Sequence, residues 1–202
     1  MENQDHYKAL IDYFKQITTL DENEEQLVRE LFVYNSYNRK EFLLKEGEIC
    51  RQFNFIIRGC MRMYLVDDKA NMHILQFAAE NWIMVDALSF REKNASRLYI
   101  DTLEKTELLY ITPENLKLLY HKAPKFNCII RELLERHVVA LQKRLLQYMS
   151  SSGEERYLSF LKTYSQFSNR LPQTQIAAYL GITPEHLSKI RNDIAKSKKF
   201  TS

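Results

Sequence analysis

The chain has 202 residues, 45% of them apolar and 27% charged, with a formal net charge of only +3. That suffices to bury a core in one large or two modest domains, and it excludes a basic character spread over the whole chain. No apolar run is long enough to span a bilayer, and the N-terminus, MENQDHYKALIDYF, lacks the layout of a signal peptide, so a cytoplasmic protein without a membrane partner is expected. The three cysteines, Cys50, Cys60 and Cys128, are odd in number and widely spaced, which predicts reduced thiols.

Residues 4–18 and 21–33 read as two amphipathic helices. Leu10, Ile11, Phe14 and Ile17 form one stripe; Leu27, Val28, Leu31 and Phe32 form the other. Asp21 is placed to cap the second, with Glu24 as its capping-box partner. From about Asn38 to Thr112 the rhythm changes to short apolar runs: 42–44, 53–57, 61–66, 74–78, 98–103 and 108–111. Polar, turn-like segments separate them, which predicts a small antiparallel barrel or sandwich. Pro113 opens a short helix that Pro124 stops.

Lys125 to about Met149 contains neither Gly nor Pro and reads as one helix of roughly 25 residues, about 37 Å long. Ile130, Leu134, Val138, Leu141, Leu145 and Tyr148 offer an apolar seam along it. Such a seam either packs on the chain's own barrel or pairs with a second copy; the two are compatible. Ser150-Ser151-Ser152-Gly153 breaks the helix, and a further helix restarts over Glu154–Tyr164. The expected parts are residues 1–124, the long helix over 125–149 and a helical part over 150–202.

The stretch QTQIAAYLGITPEHLSKIR, Gln173–Arg191, carries the strongest functional signal. Ile176, Ala177 and Leu180 share one helical face, and Gly181 sits where the chain must turn. Thr183 can cap a new helix with Pro184 in its first position, and Leu187 and Ile190 resume the apolar face. Glu185, His186, Ser188, Lys189 and Arg191 are left pointing outward. This is a helix-turn-helix whose second helix can enter a major groove. Charge agrees: residues 170–202 hold six Lys/Arg against Glu185 and Asp193, while the rest of the chain is close to neutral.

Other chemistries find little support. Three dispersed cysteines do not suit an iron–sulfur cluster, and His73 is a lone haem-ligand candidate between strands. The histidines form no ligand-spaced set, so no metal and no cofactor is expected. No nucleophile–base pair or carboxylate pair stands out, so the chain is not expected to be an enzyme.

The element order, with Glu46-Gly47-Glu48, Phe55-Ile56-Ile57-Arg58-Gly59 and the Gln173–Arg191 stretch, resembles the Crp/Fnr superfamily of bacterial transcription regulators over nearly the whole chain. Glu154–Leu161, with Leu171-Pro172-Gln173, looks like its short-winged, Bacteroidetes-type branch. The resemblance implies an α+β fold: an N-terminal antiparallel β-roll (a cupin-like double-stranded β-helix) with flanking helices, a long dimerisation helix, and a winged-helix-like helix-turn-helix domain. It implies a homodimer on double-stranded DNA with a two-fold symmetric operator, a small-molecule effector in the roll, and RNA polymerase as a further candidate partner. Ile130, Leu134, Val138, Leu141, Leu145 and Tyr148 would form the dimer seam.

By register with the family, Glu185 and Lys189 are the base-reading positions, with His186 and Ser188 beside them. Gln173, Thr174, Thr183, Arg191, Lys196 and Lys198 are expected at phosphates. The cyclic-nucleotide cassette is not intact. The matching region is Phe77–Met84 followed by Asn94–Leu98; its glycine is missing and Ser96 stands where the phosphate-binding arginine belongs. This argues against cyclic AMP or GMP. A pocket with another ligand would be lined by Glu80, Asn81, Trp82, Met84, Ser96 and Arg97; the same residues can instead simply fill the roll. The competing function is a ligand-sensing adaptor whose helical end docks a protein rather than DNA.

Overall fold

The computed structural model describes residues 5–199, with side chains to residue 196. The chain forms two compact units, Met1–Leu65 with Gln76–Arg136, and Val66–Leu75 with His137–Ser202.

In the first unit, α1 (Lys8–Lys15) and α2 (Glu22–Leu31) precede the strands. The expected capping box forms: the Glu24 amide donates to Asp21 and the Asp21 amide donates to Glu24, each at 2.9 Å. The second helix ends sooner than its stripe suggests, because Val33–Tyr37 is strand β1, paired antiparallel with the last strand. The strands that follow are β2 (Phe42–Leu44), β3 (Phe53–Arg58), β4 (Met61–Val66), β5 (Met72–Ala78), β6 (Ile83–Met84), β7 (Tyr99–Thr102) and β8 (Thr106–Ile111). They make two four-stranded sheets, ordered β1-β8-β3-β6 and β2-β7-β4-β5. This is the expected antiparallel roll.

Helix α3 (Ala87–Glu92) falls between β6 and β7, where the sequence suggested only a loop and a turn. Helix α4 (Pro113–Lys122) follows β8, and α5 runs from Lys125 to Ser150 as one 26-residue helix. The core of the first unit joins the helices to the sheet: Phe14, Phe32, Phe55, Leu109, Phe126 and Ile129 are all essentially inaccessible. Phe14 meets the edge of Phe126 with ring centroids 5.7 Å apart.

Gly59 shows why the β3–β4 turn needs glycine. Its φ is +109°, and a Cβ there would lie 2.5 Å from Thr106 Oγ1 and 2.6 Å from Thr106 Cα.

The second unit is helical beyond α5: α6 (Gly153–Thr163), α7 (Gln173–Leu180) and α8 (Pro184–Lys199), with a short 3₁₀ turn at Ser168–Arg170. Among the described residues no strand follows β8, so this helical set carries no β-wing. Its core is aromatic: Phe160, Tyr164 and Phe167 are buried, and Tyr164 lies edge-on to both Phe167 and Tyr179. The break before α6 is a cap. Ser152 receives the Glu155 amide, and Glu155 receives the Ser152 amide. Gly153 lies inside the helix, and what its missing Cβ provides is room for Ile190 Cδ1, 3.3 Å away.

All three cysteines are free; Cys50 and Cys60 are buried and Cys128 is exposed. Among the described residues, no helix is long and apolar enough to cross a membrane.

Candidate nucleic-acid interface and sensory cavity

The helix-turn-helix forms as the side-chain pattern predicts. Gly181 takes φ +66°, the left-handed turn that ends α7, and its missing Cβ makes room for Tyr148, whose ring would lie 2.8 Å from that atom. The His186 amide donates to Thr183 Oγ1 at 3.2 Å, so Thr183 caps α8 and Pro184 opens it. Ile176, Ala177, Leu180, Leu187 and Ile190 are buried, which fixes how α8 is rotated on α7.

That rotation leaves Glu185, His186, Ser188, Lys189 and Arg191 exposed along α8. Gln173 and Thr174 are exposed at the start of α7, and Thr183 and Lys196 are exposed as well. Every described residue assigned to DNA therefore lies on the accessible surface of one compact unit. The side chain of Lys198 lies outside the described residues. Hydrogen bonds from its own amide and from the Thr183 hydroxyl hold the Glu185 carboxyl below the usual glutamate range. It stays ionised at neutral pH, as an acceptor from a base must be.

Arg144 of α5 ties this unit together. Its guanidinium lies 3.9 Å from the Tyr179 ring centroid and donates to the Tyr179 carbonyl at 3.0 Å, at the C-terminal end of α7. It also donates to the carbonyls of Ile74, at 2.7 Å, and Leu75. Nothing in the sequence spacing of Arg144 marks it as a clamp.

The long helix divides along its length. Ile129, Ile130 and Leu133 are buried in the first unit's core. Beyond them Leu134, Val138, Leu141, Leu145 and Tyr148 are 43–60% exposed. The structure thus separates Ile130 from the other five residues assigned to a seam. Those five follow each other at steps of four, three, four and three, the a/d spacing of a coiled coil. Tyr148 has a second contact, since it also packs on Gly181.

In the roll, β4 and β7 pair in register, and a cavity lies beyond one end of the pair. Tyr64 faces Tyr99 across the strands and their rings stack at 5.2 Å. Two residues along, Arg62 grips Asp101 through two bonds of 2.7 and 2.8 Å. Burial first, and then the Asp101 charge, push the Tyr64 hydroxyl up to about 12, so it remains a neutral donor. Just past the stacked pair, Leu65 and Leu98 form the apolar wall of a cavity of about 400 Å³. Helix α3 and the segment after it supply the remainder, including Leu88, Asp86, Glu92, Ser96 and Arg97.

Two of the six residues expected at a pocket, Ser96 and Arg97, line this cavity; Glu80, Asn81, Trp82 and Met84 do not. Those four brace the roll. Glu80 accepts the Gly59 amide at 2.8 Å, Asn81 and Trp82 bond to Ile56 through their backbones, and Met84 is fully buried in β6. Asp86 is the residue that sequence reading missed. It caps α3, accepting the amides of Leu88 and Ser89 at 3.2 Å each and the Ser96 hydroxyl at 2.6 Å. An Asp just before Ala-Leu-Ser is an N-cap signal that could have found it.

A double-sheeted roll, a long helix and a helix-turn-helix follow one another along the chain. Comparison with solved structures agrees. The c-di-GMP responsive global regulator CLP of Xanthomonas campestris superposes with a TM-score of 0.72 at 14% identity, over 88% of this chain and 93% of that one. FixK2 from Bradyrhizobium japonicum gives 0.72 at 16% identity, over 83% and 86%. A Eubacterium rectale protein assigned to the Crp/Fnr family of transcriptional regulators gives 0.70 at 16% identity, over 92% and 88%. The fold is therefore that of the Crp/Fnr regulators. No protein-family model matches the sequence, and no curated protein does.

Proposed function

We propose that the chain is a cytoplasmic, homodimeric, sequence-specific DNA-binding transcription regulator, with the roll as its sensory part, α5 as its dimer helix and the helices after Ser150 as its DNA-binding part. The observation that carries the reading is the outer face of α8. Among the described residues its buried side holds Leu187 and Ile190, and its accessible side presents Glu185, His186, Ser188, Lys189 and Arg191. The local surplus of positive charge favours nucleic acid over a protein partner.

Glu185 would accept from cytosine N4 and Lys189 would donate to guanine O6 or N7, with His186 and Ser188 beside them. Gln173, Thr174, Thr183, Arg191 and Lys196 would hold phosphates and set affinity rather than sequence. The a/d spacing of Leu134, Val138, Leu141, Leu145 and Tyr148 supports a second copy along α5. Two copies would place two α8 helices about one helical turn of DNA apart, on a two-fold symmetric operator. Selection of binding sites from random duplexes tests the reading. A palindromic consensus is expected; recovery of no sequence preference would overturn it.

A further inference from the structure

We propose that Arg144 is a positioning residue for DNA recognition: it fixes the helix-turn-helix on the end of α5 and thereby sets the spacing of the two half-sites that a dimer reads. The inference rests on the regulator reading and names what holds its two reading helices in place.

The last carbonyls of an α-helix have no partner within the helix. The Tyr179 carbonyl falls in that last turn of α7. The Arg144 guanidinium donates to it at 3.0 Å while lying 3.9 Å from the Tyr179 ring centroid. One cation therefore holds both the backbone and the side chain of a single residue, at the negative end of the helix dipole. Tyr179 is itself locked. Its ring lies edge-on to Tyr164 at 5.5 Å, and its hydroxyl accepts the Tyr164 hydroxyl at 3.3 Å.

The guanidinium is held from a second side, by the Ile74 carbonyl at 2.7 Å and the Leu75 carbonyl, both in β5. A planar fork that donates to backbone carbonyls of two separate elements has one orientation that serves them all. One turn further along α5, Tyr148 packs on Gly181, in the turn that follows α7. Between the two, Gln147 donates to Ser159 of α6 at 2.8 Å. The break at Ser150–Gly153 is thus spanned by side chains rather than left as a free hinge.

Helix α8 packs on α7 through buried Leu187 and Ile190, so any rotation of α7 on α5 carries the reading face with it. In a dimer paired along α5, that rotation changes the distance and angle between the two α8 helices. DNA rewards one arrangement, because the half-sites must face the same side of the duplex, and a misfit of two base pairs turns one of them by about 70°.

The test uses duplexes whose half-sites come from binding-site selection, with the spacer between them lengthened or shortened by two base pairs. The natural chain, Arg144→Met and Arg144→Lys are compared. Cooperative urea unfolding is checked first, and Arg144→Lys carries the test if Arg144→Met does not fold. The natural chain should lose at least about thirtyfold in affinity on either change of spacer, and both variants less than about fivefold, with base preference inside each half-site unchanged. Arg144→Lys keeps the charge without the fork, so it separates positioning from attraction to DNA. A spacer preference as sharp in the variants as in the natural chain overturns the proposal. So does sharpness restored by Arg144→Lys, or a natural chain that tolerates every spacer.

A second measurement needs no DNA. Spin labels are placed at Lys143→Cys and Ser188→Cys, both exposed positions, with exposed Cys128 changed to Ser and the buried Cys50 and Cys60 retained. In labelled chain diluted with unlabelled chain, the distance distribution should be at least about twice as wide with Arg144→Met as with Arg144. Equal widths overturn the positioning role. Absence of any half-site preference in the natural chain would sink the regulator reading instead, and the spin-label widths would still decide what Arg144 does.

Discussion

The roll and the C-terminal helices each keep a family-like frame, but they differ in what the frame still offers. In the helix-turn-helix the turn, the cap and the buried stripe come with an accessible polar face, so frame and chemistry agree. In the roll the strands pair in register, while the residues expected at a pocket are mostly engaged within the chain. Glu80 braces a turn, and Asp86 occupies the N-terminus of α3. A fold does not by itself fix ligand chemistry, because strand pairing and cavity lining involve different side chains.

The comparison can be broken most severely at the seam that would double the DNA-binding surface. Leu141→Asp with Leu145→Asp places charges on an exposed a/d stripe. The fold should survive, but the chain should sediment as a monomer and lose roughly two orders of magnitude in apparent operator affinity, as one of two linked contacts is lost. A variant that stays dimeric would remove α5 as the interface.

Lys189→Ala should cost about 1–3 kcal/mol in specific binding and relax selectivity at one base pair, as read by site selection. By contrast, Arg191→Ala should weaken all sequences alike and lower the salt slope by about one. A sequence-dependent loss at Arg191 would exchange the two roles.

Gly181→Ala probes the frame itself. The left-handed φ and the contact with Tyr148 should together cost about 1–2 kcal/mol in urea unfolding of the helical unit, with the midpoint of the roll unmoved. Equal loss in both regions would deny their independence.

The smallest effect concerns pH. Hydrogen bonds from Ser152, its amide first and then its hydroxyl, hold the Glu155 carboxyl below its usual range. A depressed folded-state value stabilises the fold above the unfolded-state value, and that stability is lost as pH falls through the folded-state value. The melting temperature of the natural chain should therefore drop faster on acidification than that of Glu155→Gln. Parallel curves would show the cap to be neutral.

How much was legible in the sequence follows the same divide. Gly181, Thr183, Pro184, Leu187 and Ile190 act through neighbours within one or two turns, and local pattern suffices for them. So does the Asp21–Glu24 capping box. The β1 strand was hidden because Val33–Tyr37 continues directly from an amphipathic helix, and its partner β8 lies some seventy residues on. Helix α3 was hidden because Leu88 is 66% exposed, leaving no apolar stripe to read. The cavity was half legible. Ser96 and Arg97 are legible by register with a cassette, whereas Asp86 caps a short helix that the pattern does not show.

The most direct test of the central claim is fluorescence anisotropy of the chain on a two-fold symmetric duplex carrying a selected site, across a salt series and at defined stoichiometry. Two chains per duplex, resistance to nonspecific competitor and an affinity that falls steeply with salt are the predicted result. Binding as a single chain, or without preference over random DNA, would contradict it.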